Sequence, residues 1–156
     1  MQDIMRFTRN GFIAIVMVTF LCNCNMKDAD SQKTTLHDIL ETDKGFSELS
    51  KLHGMRKAFI EYIDNDGILL RPNHNPILGA EAIDYLTQTN DSSFSLTWKP
   101  SAGEVAASGE LGFTYGIYTL LLKDSTIRGT YVSIWKKQKD GKWKFVLDSG
   151  NEGIGK

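Results

Sequence analysis

The spacing of apolar residues changes once along this chain, and that change limits the folds open to it. Before residue 90 apolar side chains recur at helical spacing, whereas from Phe94 onward they alternate with polar ones. The alternation is clearest at the end. Arg128-Gly-Thr-Tyr-Val-Ser-Ile-Trp135 and Trp143-Lys-Phe-Val-Leu-Asp148 flank Asp140-Gly141, a dipeptide that tolerates the positive φ of a hairpin turn. Helices first and an antiparallel meander afterwards predict an α+β domain with helices packed on one face of a sheet. A chain of 156 residues is long enough for one such domain with a core of its own.

A first helix is predicted from Gln32 to Leu52, capped by Ser31, with Leu36, Ile39, Leu40, Phe46 and Leu49 on its inner stripe. Gly45 inside it marks a bend or a close approach. After His53-Gly54 a second helix covers Met55 to Ile63, and Asp64-Asn-Asp-Gly67 turns the chain into a short strand, Ile68 to Arg71, closed by Pro72. A third helix runs from Ala80 to Gln88. Beyond it, Leu111, Phe113, Tyr115, Ile117, Thr119 and Leu121 share one face of a long strand, with Gly112, Thr114, Gly116 and Tyr118 on the other. Gly112, Gly116 and Gly129 predict bends that curve the sheet.

The final hairpin has two possible registers. If Asp140-Gly141 alone turn the chain, Trp135 faces Val146. A three-residue loop, Lys139-Asp140-Gly141, sets Trp135 opposite Phe145 instead. That register gathers Tyr131, Trp135, Trp143, Phe145 and Leu147 on one face and the lysines at 136, 142 and 144 on the other. The cleaner segregation favours it.

At the other end, Arg6 and Arg9 precede the apolar run Gly11 to Leu21, which has the length of a secretory signal and is short for a membrane span. Leu21-Cys22-Asn23-Cys24 resembles a bacterial lipobox. On that reading residues 1–23 are a signal peptide, Cys24 carries lipid, 24–32 form a flexible tether, and 33–156 fold. The protein is then exported to the bacterial envelope and anchored there, at the outer membrane. The alternative is an ordinary signal without acylation. Lipidation would leave no thiol for a disulfide. The net charge is -1, and no basic block points to a nucleic-acid partner.

Several segments together resemble a known family: Asp43-Lys-Gly-Phe46, Asp66-Gly-Ile-Leu-Leu-Arg-Pro72, Gly79-Ala-Glu-Ala-Ile83, Leu96-Thr-Trp-Lys-Pro100, Gly109-Glu-Leu-Gly-Phe-Thr-Tyr-Gly116, Gly129-Thr-Tyr-Val132, and Trp135 through Trp143 to Asp148-Ser-Gly150. They resemble the nuclear-transport-factor-2-like superfamily, the cone-shaped fold of ketosteroid isomerase, scytalone dehydratase and polyketide cyclases. The subgroup most similar is one of secreted or lipid-anchored bacterial domains. The resemblance implies a curved antiparallel sheet, three N-terminal helices on its concave face, and a homodimer through the outer face. It implies no particular reaction, because this fold hosts enzymes, binding modules and scaffolds alike. The catalytic positions of its enzymes find no residue-by-residue match here.

Two carboxylates are candidates for acid–base work. Asp43 falls on the apolar stripe of the first helix and should face the sheet, where its pKa would rise; the competing role is a structural acceptor for a tyrosine or the backbone. Asp148 is opposite in parity to Trp143 and Phe145, so it reaches the cavity only if its strand bulges; otherwise it is an edge or dimer contact. His37, His53 and His74 share no metal-ligand spacing, and neither a metal nor a cofactor is expected. A cone leaves a hollow, and Phe46, Tyr62, Trp98, Tyr115, Tyr118 and Trp135 are the candidates to line it, beside Tyr131. The expected function is binding of a small, partly apolar molecule, or of a partner, by an anchored envelope domain. The alternatives are a small isomerase, dehydratase or cyclase, and an interaction module using the outer sheet face.

Overall fold

The computed structural model describes residues 22–154, with side chains from Thr35. The apolar leader and the side chain of Cys24 lie outside the described residues. Three helices and six strands follow in order: α1 (Cys22–His53), α2 (Met55–Tyr62), β1 (Ile63–Leu70), β2 (Ile77–Leu78), α3 (Gly79–Gln88), β3 (Phe94–Val105), β4 (Leu111–Leu122), β5 (Thr126–Lys137) and β6 (Trp143–Glu152). They form an α+β domain with a curved, open sheet in the order β2-β1-β6-β5-β4-β3.

Three expectations need correction. The first helix begins at Cys22, well before the expected start at Gln32. The sheet is also mixed: β3 to β6 form the expected antiparallel meander, but β1 lies parallel to β6. The reason is connectivity. No hairpin joins β1 to β6, so their direction is set by packing through α3 and the meander rather than by a tight turn. The stretch Asp64–Gly67, expected as a turn, is an irregular part of β1, where the pairing jumps from Ile63 with Phe145 to Ile68 with Leu147.

The buried stripe of α1 is polar-laced: Thr35, Ile39, Asp43, Phe46, Ser47 and Ser50. The polar members have work to do at the open edge of the sheet. Ser47 Oγ donates to the carbonyl of Trp98 at 2.7 Å and accepts from its N–H at 2.8 Å, and Ser50 Oγ donates to the carbonyl of Leu96 at 2.6 Å. These β3 groups point away from β4, so α1 satisfies part of an edge that would otherwise invite another strand. Phe46 lies among Phe59, Tyr62, Trp98 and Phe145, with ring centroids 4.5–5.5 Å apart, in the buried core.

The final hairpin takes the three-residue loop. Trp135 pairs with Phe145 and Lys137 with Trp143, the Gln138 N–H donates to the Lys142 carbonyl, and Gly141 has φ 85°. A second irregularity follows. Trp135 faces Phe145 but Ile134 faces Leu147, so Val146 is an extra residue in β6. That bulge reverses parity along the rest of the strand. Leu147, expected beside Phe145, moves to the convex face, and Asp148 moves to the concave one.

Gly129 sits where β5 passes under the ring of Tyr118. A Cβ there would lie 2.5 Å from Tyr118 Cε1 and closer still to the carbonyl oxygen of Asn151. Gly129→Ala is therefore expected to cost about 1–3 kcal/mol through overpacking, read as a lower urea midpoint with unchanged slope.

Candidate functional site

At the wide end of the cone a cavity of about 350 Å³ opens between the concave sheet, α2 and α3. Its walls are mostly apolar: Met55 and Phe59 from α2, Tyr85 and Leu86 from α3, and Phe94, Leu96, Trp98, Tyr118, Leu120 and Tyr131 from the sheet. Apolar walls with few polar groups favour a ligand that is largely hydrocarbon and is oriented by one or two contacts. The charged groups in the lining are Arg71, Asp148 and Glu152.

Asp148 reaches this wall because Val146 bulges. Its neighbour in the adjacent parallel strand is Leu69, which brings Arg71, just past the end of β1, alongside. The Arg71 guanidinium donates from Nη2 to Asp148 Oδ1 at 2.8 Å, while Ser133 Oγ donates to Oδ2 at 2.8 Å. Nη1 donates to the backbone carbonyls of Leu70 at 3.0 Å and Asp148 at 3.2 Å. The guanidinium also lies 5.4 Å from the Phe59 ring centroid, which suits its flat, weakly hydrated face. Asp148 is thus a held acceptor in the cavity wall; the edge or dimer contact favoured by simple alternation is not what forms.

Asp43 lies behind the wall, with 0% exposure, and does not line the cavity. Its Oδ1 accepts from Trp98 Nε1 at 2.7 Å and its Oδ2 from the Tyr131 hydroxyl at 2.7 Å. Thr114 adds a further hydrogen bond, and its hydroxyl in turn accepts from Trp135 Nε1 at 2.8 Å. Burial raises the Asp43 pKa above the ordinary carboxylate value, and hydrogen bonds from Tyr131, Trp98 and Thr114 oppose the rise. Burial first, and then the charge of Asp43, push the Tyr131 hydroxyl well above its usual range. Tyr131 therefore keeps its proton and commits it to Asp43. The carboxylate fixes two rings of the cavity wall from the rear.

Of the six aromatic residues expected to line the hollow, Trp98 and Tyr118 do so. Phe46 and Trp135 are sealed in the core, with 1% and 0% exposure, because neighbouring rings surround them. Tyr62 stacks on Phe46 and borders a different surface cleft beside His37 and Trp143. Tyr115 is displaced furthest from expectation: β4 turns it to the convex face, where it is 48% exposed. The three histidines are exposed. Among the described residues, no three metal-ligating side chains come together. Sequence reasoning missed Arg71 and Ser133. The parity that placed Tyr131 and Trp135 on one face also implied Ser133, but nothing local marked Arg71 as a partner for a residue so distant in the chain.

This architecture recurs in solved structures. A scytalone-dehydratase-like protein from Novosphingobium aromaticivorans superposes with a TM-score of 0.65 at 12% identity, covering 81% of this chain and 89% of that one. The chain has the nuclear-transport-factor-2-like fold. A ketosteroid isomerase-like protein from Erwinia carotovora atroseptica matches the same cone with a TM-score of 0.60 at 14% identity, over 75% of this chain and 95% of that one. An LEH-like epoxide hydrolase from M. tuberculosis follows with a TM-score of 0.54 at 10% identity, over 76% and 80%. No protein-family model matches the chain, and no curated protein matches it. At such identities the likeness shows the fold alone, so the chemistry has to be read from Arg71, Asp148 and the aromatic wall.

Proposed function

We propose that this protein is an exported, lipid-anchored envelope domain whose cone holds a small, largely apolar organic molecule. The observation that carries this reading is the open cavity, walled by apolar and aromatic side chains and bearing one fixed Arg71–Asp148 pair. The anchor rests on the lipobox-like Leu21-Cys22-Asn23-Cys24 alone; among the described residues no helix is long and apolar enough to cross a membrane. The enzyme alternative keeps some support from the isomerase-like and hydrolase neighbours. The position of Asp43 behind the wall, with both oxygens accepting, weakens it.

The same proposal includes a homodimer through the convex face. There Phe113 pairs with Ile134 and Ile134 with Leu147, while Tyr115 pairs with Val132. Phe113 and Tyr115 stack at 6.5 Å and are both exposed. Contiguous apolar surface of this kind is characteristic of an interaction site. Native mass spectrometry on protein purified from its own host tests both parts. The expected result is a dimer carrying a co-purifying small molecule; a bare monomer would count against both the cavity ligand and the convex interface.

A further inference from the structure

The charge balance of the cavity points to a ligand class. We infer that the cone selects an apolar cation, an amine or quaternary ammonium on a hydrocarbon or aromatic body, over a neutral or anionic molecule of the same shape. The inference rests on the cavity being a ligand site.

Every charged group in the lining enters the argument. Arg71 is its one cation, and three of its five N–H groups are given to Asp148 and to two backbone carbonyls. Asp148 answers that charge. Glu152, at the mouth, belongs to none of the ion pairs among the described residues. Asp43 stands behind Trp98 and Tyr131. An anionic ligand would therefore meet surplus negative charge and an arginine already paired with Asp148.

Three of the uncharged polar groups lean the same way, while the hydroxyls of Tyr85, Tyr118 and Ser149 also face the cavity. The indole N–H of Trp98 and the hydroxyl proton of Tyr131 both go to Asp43, so neither is available to donate to a ligand carbonyl or carboxylate. The Thr89 hydroxyl donates to the carbonyl of Tyr85 at 2.9 Å. Most of what the wall offers is ring surface. Trp98 and Tyr131 stand edge to face with centroids 6.2 Å apart, and Phe59, Tyr85, Phe94 and Tyr118 complete the aromatic lining. Such faces attract a cation through their quadrupoles, and more strongly where water is excluded.

The test uses three probes of one skeleton, 4-phenylbutylammonium, 4-phenylbutanol and 4-phenylbutanoate, titrated calorimetrically into the full protein at neutral pH and low salt. The ammonium is expected to bind at least ~10-fold more tightly than the butanoate, with the alcohol between them. In Glu152→Gln the gap between ammonium and butanoate is expected to narrow several-fold. Because Glu152 is exposed at the mouth, this variant should fold normally. Equal affinities, a preference for the butanoate, or an unchanged gap in the variant would overturn the cation preference while leaving the cavity as a binding site. Failure of all three probes to bind would overturn the cavity reading itself, and the preference with it.

Discussion

Asp43→Ala is expected to lower folding stability by about 3 kcal/mol, because it takes the acceptor from three donors at once. Trp98 Nε1, the Tyr131 hydroxyl and the Thr114 hydroxyl all lose their acceptor. A hydroxyl can rotate toward another acceptor, but an indole N–H cannot, so most of the cost sits at Trp98. Asp43→Asn separates this effect from charge: its amide oxygen can still take the indole proton and its NH₂ can donate to the tyrosine oxygen. It should cost under about half as much, on the net value of a typical hydrogen bond. The pH dependence has a definite sign. Burial raises the Asp43 pKa in the folded state, so the folded protein holds that proton more tightly than the unfolded chain does. The stability from this difference is fully present below the unfolded carboxylate pKa, and it is lost as pH rises through the higher folded value. The asparagine variant lacks that loss. Its stability relative to the native protein should therefore improve from acid toward neutral pH in paired urea titrations. A difference that stays flat with pH would show that Asp43 does not gain a proton preference on folding.

Arg71→Met is the second large effect, expected at about 3 kcal/mol, since removing one partner of a mostly buried pair leaves the other charge uncompensated. The Arg71 and Asp148 side chains retain 19% and 9% exposure. Methionine preserves much of the packing over Phe59, so the loss reports the charge and its hydrogen bonds rather than a void. Asp148 would keep Ser133 as a donor and nothing of the guanidinium. A double-mutant cycle gives the check. Adding Asp148→Asn to the methionine variant should cost less than it does in the native background, because the stranded charge is gone. Strict additivity would mean that the two side chains touch without contributing to each other. The same variants bear on the site, as the pair forms the polar part of the cavity wall.

Much of this fold was legible because it depends on local periodicity. The alternation from Phe94, the positive-φ glycine at 141 and the grouping of aromatic against lysine residues together specify the meander and the register of its last hairpin. They do so because turn chemistry and side-chain parity act over a few residues. The inward face of Asp43 was legible for the same reason, from its place on a helical stripe. Tyr115 and Tyr118 show the limit: listing both as cavity residues ignored the parity of β4, which can turn only one of them inward.

The amino-acid sequence alone thus determined the order of elements, the curvature of the wall and the aromatic character of the interior. Tertiary structure decided which groups meet in the hollow. One unpaired residue, Val146, turns Asp148 inward and Leu147 outward, and a parallel contact between the first long strand and the last sets Arg71 beside that carboxylate. Neither event leaves a local signature. A bulge and a parallel pairing are chosen by how the helices and the sheet share one core, and only the folded chain holds those pieces together.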